Sequence, residues 1–362
     1  MRAIIVEVLG KNTKTKIPET KELAKSLGYE IIKEVIQVRK TPDHRYLVGI
    51  GKLKELKELV KEENVKTIIF TNTLKANQAF RIRKVIGWNI NVIDRNLLIL
   101  EVFERRSRTA EAKMQIELAR LYYMLPWVKE YLRSRDIYGE QVGWGALGEY
   151  LHKLYEQHIM NRIRSLEKKL KGTRLRTIDR INKRKEQGFL ELVLTGYTQA
   201  GKTELFNKLT GENKPVGLGP FTTLSTYARR LYSPQMNGNN NIIVIDSIGF
   251  IEDLHPIILN AFYTTLHELS LSDLIILVID GSESVNEIRR KTETSQEIIN
   301  NIALGREVII ALNKIDLINE EKIWECKKII GEFFPYNDII PISAKKDLNL
   351  DMLIKRIVEK FK

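Results

Sequence analysis

The segment Gly196–Thr203 constrains this chain more than any other stretch of its sequence. It reads GYTQAGKT and fits the pattern G-x-x-x-x-G-K-[ST], with an apolar strand-like run before it and a helical pattern after it. A strand, a glycine-rich loop and a helix start in that order direct backbone N–H groups at an anion. The segment therefore predicts a phosphate-binding loop, in which Lys202 reaches the β- and γ-phosphates and the Thr203 hydroxyl holds Mg²⁺.

The length and charge of the chain predict several domains and a polyanionic partner. At 362 residues the chain is long for a single core, so we expect two or three domains. The net charge of +13 favours nucleic acid over a membrane, although a lysine-rich surface alone would give the same total. The single cysteine, Cys326, excludes an intramolecular disulfide framework. No uncharged apolar run approaches the ~20 residues that span a bilayer, and we expect a cytoplasmic monomer.

The pattern of strands and helices divides the chain into three parts of an α/β protein. Residues 1–103 alternate strand and helix patterns, which predicts an N-terminal α/β domain with a mainly parallel sheet. Residues 104–187 are expected to form a long helical hairpin with a glycine-rich loop. Residues 188–362 contain the phosphate-binding loop and several buried-strand patterns, so we expect a P-loop domain with a mainly parallel sheet.

Two features set the expected limits of the hairpin helices. Pro126 is predicted to kink or end the first long helix. The glycines of residues 139–148 are interpreted as a flexible loop that carries Trp144 and lies outside the helices. The second helix is expected from Tyr150 to about Gly172, and again to Gln187.

Positive charge concentrates in the second arm of this hairpin. Residues 160–187 contain eleven Lys or Arg against three acidic residues, whereas a solvated helix face usually mixes the signs. This excess favours an RNA or phosphate contact over a merely soluble arm. The candidate RNA-contacting residues are Trp144, Arg162, Lys168, Lys169, Arg174, Arg176, Arg180, Lys183 and Arg184.

Two segments downstream of the loop are candidates for reading the γ-phosphate. In the run PFTTL, Thr223 is expected to close over the γ-phosphate through Mg²⁺, and Thr222 is the alternative. The buried strand NIIVI ends at Asp246, whose carboxylate is expected to orient Mg²⁺ through water. Three residues later, the Gly249 N–H is expected to meet the γ-phosphate.

The strand VIIAL leads into a motif that selects the base. Asp316 of Asn313-Lys314-Ile315-Asp316 is expected to accept two hydrogen bonds from guanine, a donor pair that adenine lacks. Lys314 is expected to pack along the base, and the backbone of Ser343–Lys345 to donate to guanine O6. Five motifs in the correct order, each after an apolar strand, predict a GTPase.

These motifs define the predicted site. Lys202, Thr223 and Gly249 are expected to be catalytic, and Thr203, Thr223 and, through water, Asp246 are expected to bind Mg²⁺. The expected GTP contacts are Gly196, Tyr197, Thr198, Gln199, Ala200, Gly201, Lys202, Thr203, Glu204, Thr223, Asp246, Gly249, Asn313, Lys314, Asp316, Ser343, Ala344 and Lys345.

Upstream segments make the chain resemble the HflX family. The stretches that carry the resemblance are VGIGKLKEL, VIDRNLLILEVFERR, AEAKMQIELARLYYMLP, GWGALGE and DSIGFIEDL. The resemblance covers roughly residues 40–362 and implies an α/β N-terminal domain with a helical hairpin, followed by a GTPase domain. It also implies binding to the large ribosomal subunit and its RNA, with ribosome splitting, rescue or stress-linked control of translation. The resemblance also implies a compact form, similar to archaeal relatives, in which an extra C-terminal domain is not expected.

Three features depart from the usual pattern of the family, and Phe250 departs from that of many GTPases. Gln199 stands where the family usually has a potassium-binding Asn, and Glu204 where it has a hydroxyl or small residue. His255-Pro256 replaces the common Pro then His. Phe250 follows Gly249 where many GTPases orient water with Gln or His, which indicates either an absent catalytic group or a residue that only packs against the core. In both cases intrinsic hydrolysis is expected to be slow.

Two hypotheses compete with that of a slow GTPase. The first is a non-catalytic RNA-binding switch, in which GTP and GDP only set the conformation. The second, ranked lower, is an ATP-driven RNA remodeller that works through the N-terminal domain.

Overall fold

The computed structural model describes residues 1–11, 15–107, 109–137, 145–213, 227–232, 241–247, 249–250, 255–261 and 270–361, with the backbone alone at 131–137, 145–155 and 259–261. The chain folds into two compact units. The first unit comprises Met1–Arg105, Lys113–Lys171 and His255–Ala261. The second unit comprises Arg106–Ala112, Gly172–Leu254 and Phe262–Lys362.

The first unit contains a four-stranded parallel sheet. Its strands are β1 (Arg2–Leu9), β2 (Glu30–Val38), β3 (Thr67–Phe70) and β4 (Asn91–Asp94), in the order β2-β1-β3-β4. The crossover helices are α1 (Ile17–Ser26), α2 (Ile50–Glu62) and α3 (Ala76–Ile86). Leucines of α2, including Leu53 and Leu56, pack with Ile4 and Ile68 in one buried cluster, as their helical spacing predicts.

The helices that follow β4 begin and end at other residues than the sequence patterns suggest. They are α4 (Arg95–Arg106), α5 (Ala110–Ile137) and α6 (Gly145–Glu186). The expectation that Pro126 ends the first long helix is wrong, because α5 continues through it to Ile137, and a kink at Pro126 stays a prediction. Neighbouring side chains explain the tolerance: Tyr123 is buried and Trp127 packs against the core of the first unit, so tertiary contacts offset the lost backbone hydrogen bond.

Glycine was also a poor guide to the limits of α6. The sequence predicts Gly145 and Gly148 in a loop, but both lie in the first turns of α6, and Gly172 does not interrupt this helix. A glycine in a helix costs about 1 kcal/mol relative to alanine, which a 42-residue helix tolerates. Trp144 lies outside the described residues.

The second unit is a P-loop fold around a six-stranded sheet. Its strands are β5 (Leu190–Gly196), β6 (Tyr227–Arg230), β7 (Ile242–Asp246), β8 (Leu274–Asp280), β9 (Glu307–Asn313) and β10 (Asp338–Pro341). The order is β10-β9-β8-β5-β7-β6, parallel except for β6. Its helices are α7 (Lys202–Thr210), α9 (Val285–Ile302), α10 (Glu320–Phe333) and α11 (Leu350–Lys360), whereas α8 (Pro256–Ala261) belongs to the first unit.

Strand β5 lies inside this sheet and is buried on both faces. Leu192 and Leu194 belong to one core cluster, and Val193 belongs to the cluster on the opposite face. This double burial accounts for the continuous apolar run that precedes the glycine loop. Because β5, β7, β8 and β9 are parallel, their carboxyl ends lie at one edge of the sheet, where the motif residues follow each strand.

Candidate functional site

Gly196 ends β5 in a conformation and a position that only glycine tolerates. Its φ of +133° lies in the region that L side chains avoid. A Cβ there would overlap the carbonyl oxygen of Val278 on β8, and it would lie 3.1 Å from the carbonyl carbon and 3.2 Å from the nitrogen of the same residue. The first glycine of the loop is therefore required by strand packing, whatever ligand the loop holds.

Asn313 connects three of the predicted motifs. Its side-chain N–H donates to the Ala200 carbonyl at 2.8 Å, and its Oδ1 accepts from the Ala344 N–H at 3.0 Å. Gly201, with φ of +94°, lies so close that a Cβ would overlap the Asn313 amide nitrogen. One buried carboxamide thus fixes the glycine loop against the segment Ser343–Lys345.

Lys202 is buried at the first position of α7. Its ammonium donates to the Gly196 carbonyl at 2.9 Å and to the Tyr197 carbonyl at 2.6 Å. Burial lowers the pKa of Lys202 to about 8, an effect that nearby Lys291 strengthens and Asp246 opposes. The loop therefore holds a cation whose charge a bound anion would stabilise.

Thr203 and Asp246 place two oxygen ligands together beside Lys202. The Thr203 hydroxyl donates to Asp246 Oδ2 at 3.4 Å, and both side chains are buried. Hydroxyl and carboxylate oxygens are the donors that Mg²⁺ prefers, usually with water and phosphate completing the shell. Among the described residues there is no group of three or more His, Cys, Asp or Glu suited to a metal. The pair fits a Mg²⁺ held jointly with phosphates.

The segment after β7 is paired with the glycine loop. The Phe250 N–H donates to the Gly196 carbonyl at 2.9 Å, and the Thr198 N–H donates to the Phe250 carbonyl at 3.3 Å. A Cβ on Gly249 would lie 2.8 Å from the Lys202 ammonium nitrogen. The Phe250 ring is buried and meets Tyr197 edge to face, with 6.3 Å between ring centroids. Phe250 is thus a packed core residue.

The end of the site predicted to bind guanine is also preassembled. The Ser343 hydroxyl donates to Asp316 Oδ1 at 2.6 Å and accepts from the Lys346 N–H at 3.1 Å. Lys314, in the left-handed conformation, forms an ion pair with Asp280 at 2.5 Å. Asp316 is half-buried, so its carboxylate is oriented while remaining accessible to a ligand.

Comparison with known proteins identifies the family. The GTPase HflX of Thermococcus kodakarensis is 39% identical over 96% of this chain and 78% of its own length. The chain belongs to the HflX family. Three family models match this HflX-family chain: a GTP-binding GTPase N-terminal model at residues 14–104, a GTP-binding GTPase middle-region model at 106–184 and a 50S ribosome-binding GTPase model at 191–314.

Solved structures agree with the family. The SsGBP–GDP complex is 31% identical with a TM-score of 0.56, covering 99% of this chain and 98% of that chain. A GTP-binding protein from Sulfolobus solfataricus, in complex with GDP, is 30% identical with a TM-score of 0.50 and the same coverage. The HflX-family chain is therefore a GTP-binding GTPase, which confirms the fold and enzyme classes expected from its motifs. Each helix that the structure describes is too short or too polar to span a lipid bilayer.

The roles of several predicted site residues stay predictions. Thr222 and Thr223 lie outside the described residues. Gln199 is exposed at the tip of the loop with φ of +65°, and Lys345 is exposed beside the buried Ala344. Glu204 is half-buried in the first turn of α7.

Part of the basic arm is already neutralised within the HflX-family chain. Arg162 forms a two-point ion pair with Glu117 at 2.7 and 2.8 Å, and Lys183 pairs with Asp179 at 3.0 Å. Arg184 reaches the buried Glu191 of β5 at 3.1 Å. Among the remaining candidates of the arm, Arg174 is half-buried. The exposed candidates are Lys168, Lys169, Arg176 and Arg180.

Sequence reasoning missed two residues that hold the site together. Asp280 ends β8 and pairs with Lys314, and Lys291 of α9 lies 5.3 Å above the Tyr197 ring. Asp280 could have been found, because it follows the apolar run LIILVI at the same sheet edge as Asp246. Lys291 gave no such signal, because its contact depends on how α9 packs.

Proposed function

We propose that this HflX-family GTPase binds guanine nucleotides with the residues of this sheet edge, hydrolyses GTP slowly alone and acts at the large ribosomal subunit. The observation that carries the proposal is Asn313, whose carboxamide joins the glycine loop to the segment that would donate to guanine O6. In this proposal Asp316 accepts hydrogen bonds from the guanine edge, and Lys314 packs along the base.

Lys202, Thr203 and Asp246 would perform the phosphate chemistry. Lys202 would neutralise the β- and γ-phosphates, while Thr203 and, through water, Asp246 would hold Mg²⁺ between them. Thr223 would complete the metal site, and the Gly249 N–H would donate to the γ-phosphate. Mg²⁺ would supply the charge that stabilises the phosphates in the transition state.

Burial of Phe250 supports slow intrinsic hydrolysis. Its ring is 4% exposed, and an apolar side chain cannot orient water by hydrogen bonding. A missing water-positioning group would come from another segment or from the ribosome. We therefore expect GTP turnover to rise when large subunits are added.

The ribosome assignment is supported by charge and by the family models. The helical hairpin, residues 104–187, would contact ribosomal RNA through exposed cations such as Lys168 and Arg176. The model that matches residues 191–314 is described as a 50S ribosome-binding GTPase. In this proposal the chain has two further domains: an N-terminal domain at residues 1–103 and a GTPase domain at residues 188–362.

The base assignment is tested with Asp316→Asn. This change removes the acceptor for the guanine N1–H and amine, so GTP affinity should fall about 100-fold while affinity for xanthosine triphosphate rises. Fluorescent nucleotide titrations with GTP, XTP and ATP measure both changes. Unchanged GTP affinity would overturn the guanine pocket.

The ribosome assignment is tested by cosedimentation with separated subunits, in GDP and in a non-hydrolysable GTP analogue. The double variant Lys168→Ala/Arg176→Ala should reduce association with large subunits and its salt dependence. The matched control is Lys54→Ala/Lys355→Ala, which removes the same charge from exposed positions elsewhere. Equal losses in both variants would mean that net charge, and not the arm, controls association.

The competing switch without catalysis makes a different prediction. Phosphate release in a single turnover, with large subunits present, should exceed the rate without them if the chain is a ribosome-stimulated GTPase. If no GDP forms over hours in either condition, nucleotide only sets the conformation.

A further inference from the structure

Glu204 brings a negative charge into a site built for phosphate. It is the third residue of α7 and is half-buried. Its Oε2 lies 4.0 Å from the point that a Cβ on Gly201 would occupy, beside the Asn313 carboxamide that closes the loop. One carboxylate oxygen therefore lies next to the glycine loop at the start of α7.

The position of Glu204 in the helix gives this charge two opposite effects. The first turn of an α-helix carries unpaired N–H groups and a partial positive charge, which stabilise an anion there. In the empty site the Glu204 carboxylate benefits from this field. A bound nucleotide places its phosphates in the same field, so the two anions repel each other and share the same donors.

We propose that Glu204 is a built-in anion that stabilises the empty site, weakens the binding of GDP and GTP alike and speeds GDP release. The proposal rests on the proposed role of the loop in phosphate binding. Its functional consequence is nucleotide exchange without a separate exchange factor. Because the repulsion acts on phosphate, the effect requires a phosphorylated ligand and leaves guanosine binding unchanged.

The size of the effect follows from the distance over which charges act. A unit charge within a Debye length of the phosphates, about 8–10 Å in ordinary buffer, changes affinity by about fivefold to tenfold at a surface-like dielectric. We expect Glu204→Gln, which keeps the shape and removes the charge, to tighten GDP and GTP by this factor. GDP release should slow by a similar factor, and the gain should shrink in 1 M salt, where screening extends over about 3 Å.

The experiment measures affinities of guanosine, GMP, GDP and GTP, and the GDP release rate, for the intact chain and two variants. Glu204→Gln tests the charge, and Glu204→Ser tests it with a small hydroxyl side chain in case the amide perturbs the loop. Thermal unfolding of the nucleotide-free variants should occur at lower temperature than in the parent chain, since the helix loses its first-turn anion. The charge control is Glu297→Gln, an exposed acid on α9, which should alter none of these values.

Each outcome decides the proposal. Tighter GMP, GDP and GTP with unchanged guanosine supports it. Unchanged or weaker GDP binding in both variants overturns it, and so does weaker guanosine binding, which would mean that the carboxylate accepts hydrogen bonds from the ribose. If Asp316→Asn switches the base preference while Glu204→Gln has no effect, this inference fails and the proposed function stands.

Discussion

Replacing Gly196 with alanine separates two reasons for a glycine at the start of a phosphate loop. One reason is that a glycine allows a phosphate to approach the backbone closely. The structure shows a second reason, which applies even when no ligand is bound. The added methyl would overlap the Val278 carbonyl oxygen, and both residues lie on adjacent strands inside the sheet. We therefore expect Gly196→Ala to destabilise the nucleotide-free protein.

The expected loss in free energy of unfolding for Gly196→Ala combines two penalties. A φ of +133° in a residue with a side chain costs about 1–3 kcal/mol, and forcing a methyl against a backbone that cannot yield costs about 1–3 kcal/mol more. Gly211 is the matched control, since its φ of +72° is also positive but its Cβ would meet nothing closer than 3.7 Å. Gly211→Ala should cost only about 1 kcal/mol.

Thermal unfolding of the nucleotide-free variants measures the difference. For a unit of 150–250 residues each kcal/mol corresponds to about 2–4 °C, so Gly196→Ala should unfold about 10 °C lower and Gly211→Ala about 3 °C lower. Urea titration should give the same ranking of the free energy of unfolding. If the two variants unfold within about 2 °C of each other, the overlap with β8 does not set the requirement for glycine.

Three further predictions concern buried charges and their partners. Burial lowers the pKa of Lys202 to about 8, and a bound phosphate should raise it. GDP binding should therefore take up protons and weaken as the pH rises above about 8. Calorimetry in buffers of different ionisation enthalpy measures this proton uptake. Arg184→Ala should cost about 2–3 kcal/mol in urea unfolding by leaving the buried Glu191 carboxyl without this ion pair, and the added change Glu191→Gln should recover part of it. Tyr123→Phe removes a hydroxyl that donates to the buried Asp94 and should cost about 1–3 kcal/mol, whereas full retention of stability would contradict that hydrogen bond.

The strands and the motif order could be predicted because they depend on local patterns. The run NIIVI predicted β7, observed at Ile242–Asp246, and VIIAL predicted the centre of β9, observed at Glu307–Asn313. Branched apolar residues in short runs favour buried parallel strands, whichever residues they later contact. The motifs follow such runs directly, so their place at one sheet edge follows from the parallel order of the strands.

The limits of the long helices could not be predicted, since tertiary contacts decide them. Proline and glycine are unfavourable inside an isolated helix, which made Pro126 and Gly148 look like boundaries. The buried Tyr123 and the packed Trp127 stabilise α5 across Pro126. The strand β6 was missed for a related reason, because its residues resemble a loop and pair with β7 only in the folded sheet.

Phe250 shows how far a single side chain can be interpreted before its contacts are known. The sequence allowed an absent catalytic group or simple core packing, and the structure adds that its backbone is paired with the glycine loop. A glutamine at this position would have to leave the core to reach water, and loss of a buried aromatic ring costs about 3–5 kcal/mol. The ring therefore stabilises the same backbone pairing that holds Gly249 against Lys202. In this chain the residue after Gly249 packs in the core beside the glycine loop, which is why the proposed function assigns water orientation to another group.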